Sequence, residues 1–276
     1  MSLEEHSAEL SLAVLAAQQA GDVLMDFQER GFTMREKAEN DLVSEADFAA
    51  EKVVLDAIRE TFPHHTILSE ETCPKLESDD IPEHLWIVDP LDGTTNYAHG
   101  LPHFAVSIAY ACRGRTHCGV VYNPARNDWY VAARGAGAWY NDARMIVSQQ
   151  NLSESLVGVG FYYDRDVLME ATLATIHGLF KSKIHGIRRL GTASLDLANV
   201  ARGIFGAYFE YQLSPWDFAA GRLLVDEAGG RCSNAFGGDL PLTKTSILAT
   251  NGMIHREVLE IIHQSAGHLL NPTKPR

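Results

Sequence analysis

Trp86-Ile87-Val88-Asp89-Pro90-Leu91-Asp92-Gly93-Thr94-Thr95-Asn96-Tyr97 joins a short apolar run to two carboxylates and a turn. Trp-Ile-Val is brief and rich in β-formers, so it predicts a buried strand, with Asp89 where that strand leaves the sheet. Pro90 removes an amide donor and restricts φ at that point. Two aspartates so close together can face one cation, with the Leu91 carbonyl as a further oxygen. Hard oxygen donors of this kind suit Mg²⁺ or Mn²⁺. Gly93-Thr94-Thr95 then offers a flexible turn, backbone N–H groups and two hydroxyls, which makes a phosphate cradle if a helix begins here. An isolated Asp-Gly is most often just a polar turn after a strand, and the residues around this one are what set it apart.

Further acidic motifs lie far away in the chain. Ile67-Leu68-Ser69-Glu70-Glu71 is another short apolar run ending in carboxylates, after the turn signal Pro63-His64-His65. Ser214-Pro215-Trp216-Asp217 is a good helix start whatever its function, with Ser214 as N-cap, Pro215 at the first helical position and Asp217 at the third. In Asn40-Asp41-Leu42-Val43-Ser44-Glu45-Ala46-Asp47, Ser44 and Asp47 form a candidate capping box for a helix carrying Val54, Ile58 and Phe62. Glu210 closes a β-prone run, as a surface glutamate does.

A phosphatase with a covalent aspartyl nucleophile needs Asp-x-Asp-Gly-Thr, and here the residue two before Asp92 is Pro90. The actual motif, Asp-Pro-Leu-Asp-Gly-Thr-Thr-Asn, resembles the signature of the inositol monophosphatase family. The Glu70-Glu71 pair and the Trp216-Asp217 segment resemble two further family motifs in the same order, and the resemblance spans roughly residues 10 to 265. It implies an α/β chain folded as an α-β-α-β-α sandwich, like the fructose bisphosphatases. It also implies that Glu70, Asp89, the Leu91 carbonyl, Asp92 and Asp217 hold two or three Mg²⁺, with Mn²⁺ as a substitute. Thr94, oriented by Asp47 and assisted by Glu70, would activate water. Gly93, Thr94, Thr95, Gly191, Thr192, Ala193 and Glu210 would meet the substrate, although Thr192 reads equally as a helix N-cap. Lys37 resembles a mobile family lysine, one residue off the expected spacing. The implied reaction is hydrolysis of inositol 1-phosphate or a similar polyol phosphate, sensitive to lithium, in a homodimer. Related members act on histidinol phosphate or fructose 1,6-bisphosphate, and some bacterial ones are implicated in transcription complexes.

Composition fits an ordinary globular chain: 276 residues, 46% hydrophobic and 21% charged. A net charge of −13 argues against direct nucleic-acid binding and would repel a phosphate monoester unless cations intervened. Cys73, Cys112, Cys118 and Cys232 show no CxxC spacing, which suggests reduced thiols in a cytoplasmic protein and speaks against zinc. The twelve histidines show no HExxH and are expected to be surface or hydrogen-bonded side chains. No run approaches the roughly 18 apolar residues of a membrane span. A Gly-x-Ser-x-Gly elbow, a Walker A loop and a full Gly-x-Gly-x-x-Gly are absent, and Gly158-Val159-Gly160 is too short to count as one.

Leu12, Ala16, Ala20, Val23, Leu24 and Phe27 mark one face of a first helix that stops at Gly31. A second helix is expected from Ser44. Phe104 to Ala111, His117 to Tyr122 and Trp129 to Ala132 predict an antiparallel meander. The polar stretch from Ser148 to Ser153 suggests a boundary, with an α+β part over 1–147 and an α/β part over 148–276 that completes the site. In the second part, strands near 156–159, 207–210 and 246–250 alternate with helices near 167–180, after 192, from 215 and near 256–264.

Overall fold

The computed structural model describes residues 7–38, 41–73, 75, 81–162 and 165–270, with side chains except at 35–38 and 41–43. Helix α1 (Ala8–Arg30) is capped by the Ser7 hydroxyl, which accepts from Leu10 N–H at 3.2 Å, and ends at Gly31. A two-stranded ribbon, β1 (Met34–Ala38) and β2 (Asp41–Ser44), leads into α2 (Glu45–Thr61). The expected capping box forms at α2: the Asp47 carboxylate accepts from Ser44 N–H at 2.8 Å.

The first sheet has seven strands in the order β3 (Thr66–Ser69), β4 (His84–Asp92), β5 (Ala105–Cys112), β6 (Arg115–Asn123), β7 (Asp128–Ala133), β8 (Gly137–Tyr140) and β9 (Ala143–Arg144). Only the β3–β4 pair is parallel. The meander is present, and β8 and β9 extend it. They are too short, and too exposed at β9, for alternation to reveal them.

The second sheet runs β11 (Gly186–Arg188), β10 (Leu156–Val159), β12 (Ala207–Leu213), β14 (Thr245–Thr250) and β13 (Arg231–Ser233). β10 is parallel to β11 and β12, whereas β14 is antiparallel to β12 and β13. The sheet is therefore mixed. A short helix α3 (Thr94–Ala98) follows β4, and α4 (Val167–Lys181), α5 (Ala193–Ala201), α6 (Pro215–Glu227) and α7 (His255–Leu270) complete the chain.

Three apolar cores define five layers, as the resemblance implies. α1 and α2 cover one face of the first sheet through Ala16, Ala20, Val54 and Ile58 against Val88, Val106 and Val120. α5 and α6 fill the space between the sheets, with Leu197, Phe218 and Leu223 meeting Ile87, Ala109 and Val121 on one side and Tyr208 and Ile247 on the other. α4 and α7 cover the outer face of the second sheet. Phe218 is fully buried at this centre, so truncating it to alanine should cost about 3–5 kcal/mol. Among the described residues no helix is long and apolar enough to cross a membrane. All four cysteines are free.

Candidate active site

Strand β4 does not end at Asp89 as its sequence suggests; it runs on to Asp92. Asp89 pairs with Ser107 and Asp92 with Ala105, so three steps on β4 match two on β5. The extra residue is a bulge at Pro90-Leu91, where a missing N–H costs the ladder nothing. A regular strand would send residues 89 and 92 to opposite faces. The bulge returns both aspartates to one side. Leu91 N–H donates to Asp89 Oδ1 at 3.0 Å. On the adjacent parallel strand Ser69 pairs with Val88, and Glu70 N–H donates to the Val88 carbonyl at 3.3 Å, so Glu70 follows alongside Asp89.

Asp217 arrives on the first turn of α6, its Oδ2 accepting from Ser214 N–H at 2.6 Å. It caps its helix and also stands within electrostatic reach of Glu70 and Asp92. Burial pushes the Asp89 carboxyl well above the usual range, and the charges of Glu70, Asp92 and Asp217 add to this. Asp217 is raised by burial and by Glu70 and Asp92. Asp92 is raised to about 6 by burial, against hydrogen bonds from Ser194 and Ala193 and the charge of Arg189.

Buried carboxylates that raise one another's proton affinity, with oxygen as the only donor type, fit a hard divalent cation. Among the described residues, however, no three His, Cys, Asp or Glu side chains stand as they are in an arrangement that would hold an ion. Binding would require these side chains to draw inward.

Gly93, at φ +94°, turns the chain from β4 into α3. A Cβ there would lie 2.4 Å from Thr192 Oγ1, so only glycine fits. Thr94 Oγ1 is shared between the Leu91 carbonyl at 3.1 Å and Asp47 Oδ1 at 3.3 Å, the pairing expected for these two residues. Asp47 is held in turn by the Ser44 hydroxyl, which donates to Oδ2 at 2.5 Å. The side chain of Lys37 lies outside the described residues.

Sequence reading missed what supports Asp92. Ser194 N–H and its hydroxyl donate to Asp92 Oδ2 at 2.7 and 2.5 Å, so Asp92 caps α5 from a distant strand. Thr192 occupies the N-cap position, but its hydroxyl makes no cap bond and donates instead to the His103 carbonyl at 2.8 Å. Asn96 Nδ2 donates to the same carbonyl at 2.7 Å and to that of Leu190 at 2.8 Å. This ties α3 to the Gly191–Ala193 loop.

These groups open onto a cleft of about 320 Å³, bordered by Gly93, Thr94 and Thr95, by the adjoining Gly191, Thr192 and Ala193, and by Glu210. Glu210 is 8% exposed and sits inside β12 rather than closing a strand at the surface. Tyr208 donates to its Oε2 at 2.6 Å. Burial lifts the Glu210 carboxyl to about 7, although Tyr208 and Arg189 oppose the shift. Gly160, set aside at first as part of a motif fragment, matters here: a Cβ on it would lie 1.7 Å from Glu210 Oε2. Asp196, Tyr208 and Arg189 also border the cleft unforeseen, and Arg189 is the one cationic side chain among the described residues lining it. The histidines are mixed: His65, His84 and His255 are hydrogen-bonded, whereas the buried His103 Nε2 has no partner.

The family model for the inositol monophosphatase family matches residues 6–267. The Nus factor SuhB of Pasteurella multocida is 41% identical over 256 residues, covering 92% of this chain and 95% of that protein. Among solved structures, the extragenic suppressor protein suhB of Bartonella henselae superposes with a TM-score of 0.86 at 37% identity, over 93% of this chain and 98% of that one. An inositol monophosphatase from Anabaena gives 0.82 at 41% identity, over 93% and 96%. With its acidic cluster, its Asp-Gly-Thr turn and its five layers, the chain belongs to the inositol monophosphatase family.

Proposed function

We propose that the protein is a metal-dependent phosphomonoesterase acting on inositol 1-phosphate or a similar polyol phosphate. One observation carries this reading: a single cleft is lined by Glu70, Asp92 and Asp217, by Thr94 with its bond to Asp47, and by a buried Glu210. Glu70, Asp89, the Leu91 carbonyl, Asp92 and Asp217 would hold two or three Mg²⁺, or Mn²⁺ in their place. Bound metal would supply a nucleophilic water at neutral pH and offset the phosphate charge. Thr94 Oγ1, hydrogen-bonded to Asp47, is set to take a proton from that water, with Glu70 beside it. Backbone N–H groups of Gly93 and Thr94 would meet the phosphate oxygens, while Gly191–Ala193 and Glu210 face the alcohol part. No phosphoenzyme forms on this route. A homodimer in the cytoplasm and inhibition by lithium complete the proposal.

Phosphate release from a panel of inositol 1-phosphate, histidinol phosphate, fructose 1,6-bisphosphate and p-nitrophenyl phosphate, with Mg²⁺ and with excess chelator, tests it. Activity should appear only with metal, favour inositol 1-phosphate and fall when Ca²⁺ replaces Mg²⁺, because its looser shell misplaces the water. Full activity in chelator rules the metal reading out.

A second role as a Nus factor is favoured by the name of the relative at 41% identity. Co-purification with transcription complexes, retained by an Asp92→Asn variant that releases no phosphate, would establish it alongside catalysis. Loss of both together would tie the second role to the catalytic site.

A further inference from the structure

Asp196 is a buried carboxyl in the cleft that the acidic motifs do not use. It lies in the first turn of α5, is 1% exposed, and its Oδ1 has no hydrogen-bond partner. A carboxylate at this point of a helix ordinarily serves the helix's own first N–H groups or its dipole. That explanation fails here, because Ser194 N–H is already taken by Asp92 and the N–H of Asp196 itself donates to the Thr192 carbonyl at 3.0 Å. Among the described residues the other buried side-chain atoms without partners, His103 Nε2 and Trp139 Nε1, do not border the cleft. Asp196 does, and it lies within electrostatic reach of both Asp92 and Glu210.

A buried acceptor with no donor is costly unless something else supplies one. A hydroxyl bound in the cleft would be such a donor. Glu210 has one oxygen committed to Tyr208 and the other free to accept. Two carboxyls lining one cleft, each with an acceptor to spare, offer places for two hydroxyls of one ligand.

We propose that Asp196 and Glu210 together form a subsite for a pair of neighbouring substrate hydroxyls, one of them donating to Asp196 Oδ1. The proposal deepens the polyol-phosphate reading above and rests on it. It narrows the substrate class to phosphate esters carrying a vicinal diol.

Asp196→Leu removes every acceptor at nearly constant volume, and Asp196→Asn keeps one oxygen. If the carboxyl has no partner within the protein, Asp196→Leu should melt no lower than the wild type. Its preference for inositol 1-phosphate over p-nitrophenyl phosphate, as a ratio of kcat/KM, should fall about tenfold, mainly through KM, as for loss of one hydrogen bond to a charged group. Asp196→Asn should recover part of this. Combined with Glu210→Gln, the two losses should not add, because both residues hold the same diol. A several-degree loss of Tm with the preference intact overturns the proposal, since it reveals a structural partner. Equal losses on both substrates overturn it too, since they place the effect at the acidic cluster. A wild type with no preference for polyol esters removes the substrate reading and the subsite together, whereas a preference that survives Asp196→Leu removes the subsite alone.

Discussion

On the wall of the cleft formed by β4 and α3, side chains are tied down over short distances. Leu91 N–H fixes Asp89, Thr94 bridges to Asp47, and Asp92 is clamped by Ser194. On the facing wall, Gly160 contributes only the lack of a side chain, Asp196 has an unmatched oxygen, and Tyr208 and Glu210 share one hydrogen bond. The first set of side chains is oriented by hydrogen bonds within the protein. The second has spare acceptors and so is completed by what binds to it. Reaction chemistry that must be the same in every turnover belongs on the first, and choice among substrates on the second.

The largest effects should follow damage to the first wall. Asp92→Asn and Asp217→Asn preserve volume and should fold, yet lose at least about a hundredfold in turnover, because lost charge weakens metal binding and metals supply several kcal/mol. Steady-state kinetics with inositol 1-phosphate and a thermal melt distinguish the cases. If Asp217→Asn lowered Tm alone, helix capping would be its whole role. Thr94→Ala should cost a comparable factor without weakening metal binding, measured by calorimetry.

Gly160→Ala would break the second wall sterically, since the new methyl occupies the place of Glu210 Oε2. About 1–3 kcal/mol of stability should go with it, as for overpacking, and hydrolysis of polyol esters should suffer more than that of p-nitrophenyl phosphate. Glu210→Gln should lower kcat/KM for inositol 1-phosphate by about 1–3 kcal/mol and barely affect p-nitrophenyl phosphate. Equal losses would take Glu210 out of substrate recognition.

The smallest effect is a pH dependence of stability. The folded Glu210 carboxyl sits at about 7, above its ordinary 4.5, so the native state binds the extra proton between those values. Stability contributed by this group is therefore greatest below pH 4.5 and declines as pH rises toward 7. In metal-free protein, melting followed across that window should fall more steeply for the wild type than for Glu210→Gln. Parallel curves would mean that the carboxyl titrates normally.

The same division explains what the sequence disclosed. The β4–α3 wall is written in consecutive residues, and its partners Ser44 and Asp47 form a local capping pattern, so spacing alone was informative. Even there, β4 was read as ending at Asp89, because a bulge preserves the appearance of a strand that stops. Glu210 was marked by the family resemblance, and Tyr208 lies two residues before it on β12, but Gly160 and Asp196 come near it only through pairing of β10 with β12 and the placement of α5. Nothing local in Gly158-Val159-Gly160 signals that a carboxylate fifty residues later needs the space. Among the elements, β11 and β13, of three residues each, are shorter than any periodicity can register. The antiparallel placement of β14 also escaped the alternating pattern, which favours parallel neighbours.

Helix α6 has a consequence for the chain as it is made. It supplies the surface on which β4 to β8 pack, yet it emerges about seventy residues after β9. At synthesis rates of about 5–20 residues per second, the first sheet stands with one apolar face unsheltered for several seconds. During that interval Ile87, Ala109 and Val121 are open to other nascent chains, and chaperones have their longest opportunity. Yield in the cell should thus depend on how quickly residues 145–227 are delivered, and slow codons in that stretch would be a hazard that the finished molecule no longer reveals.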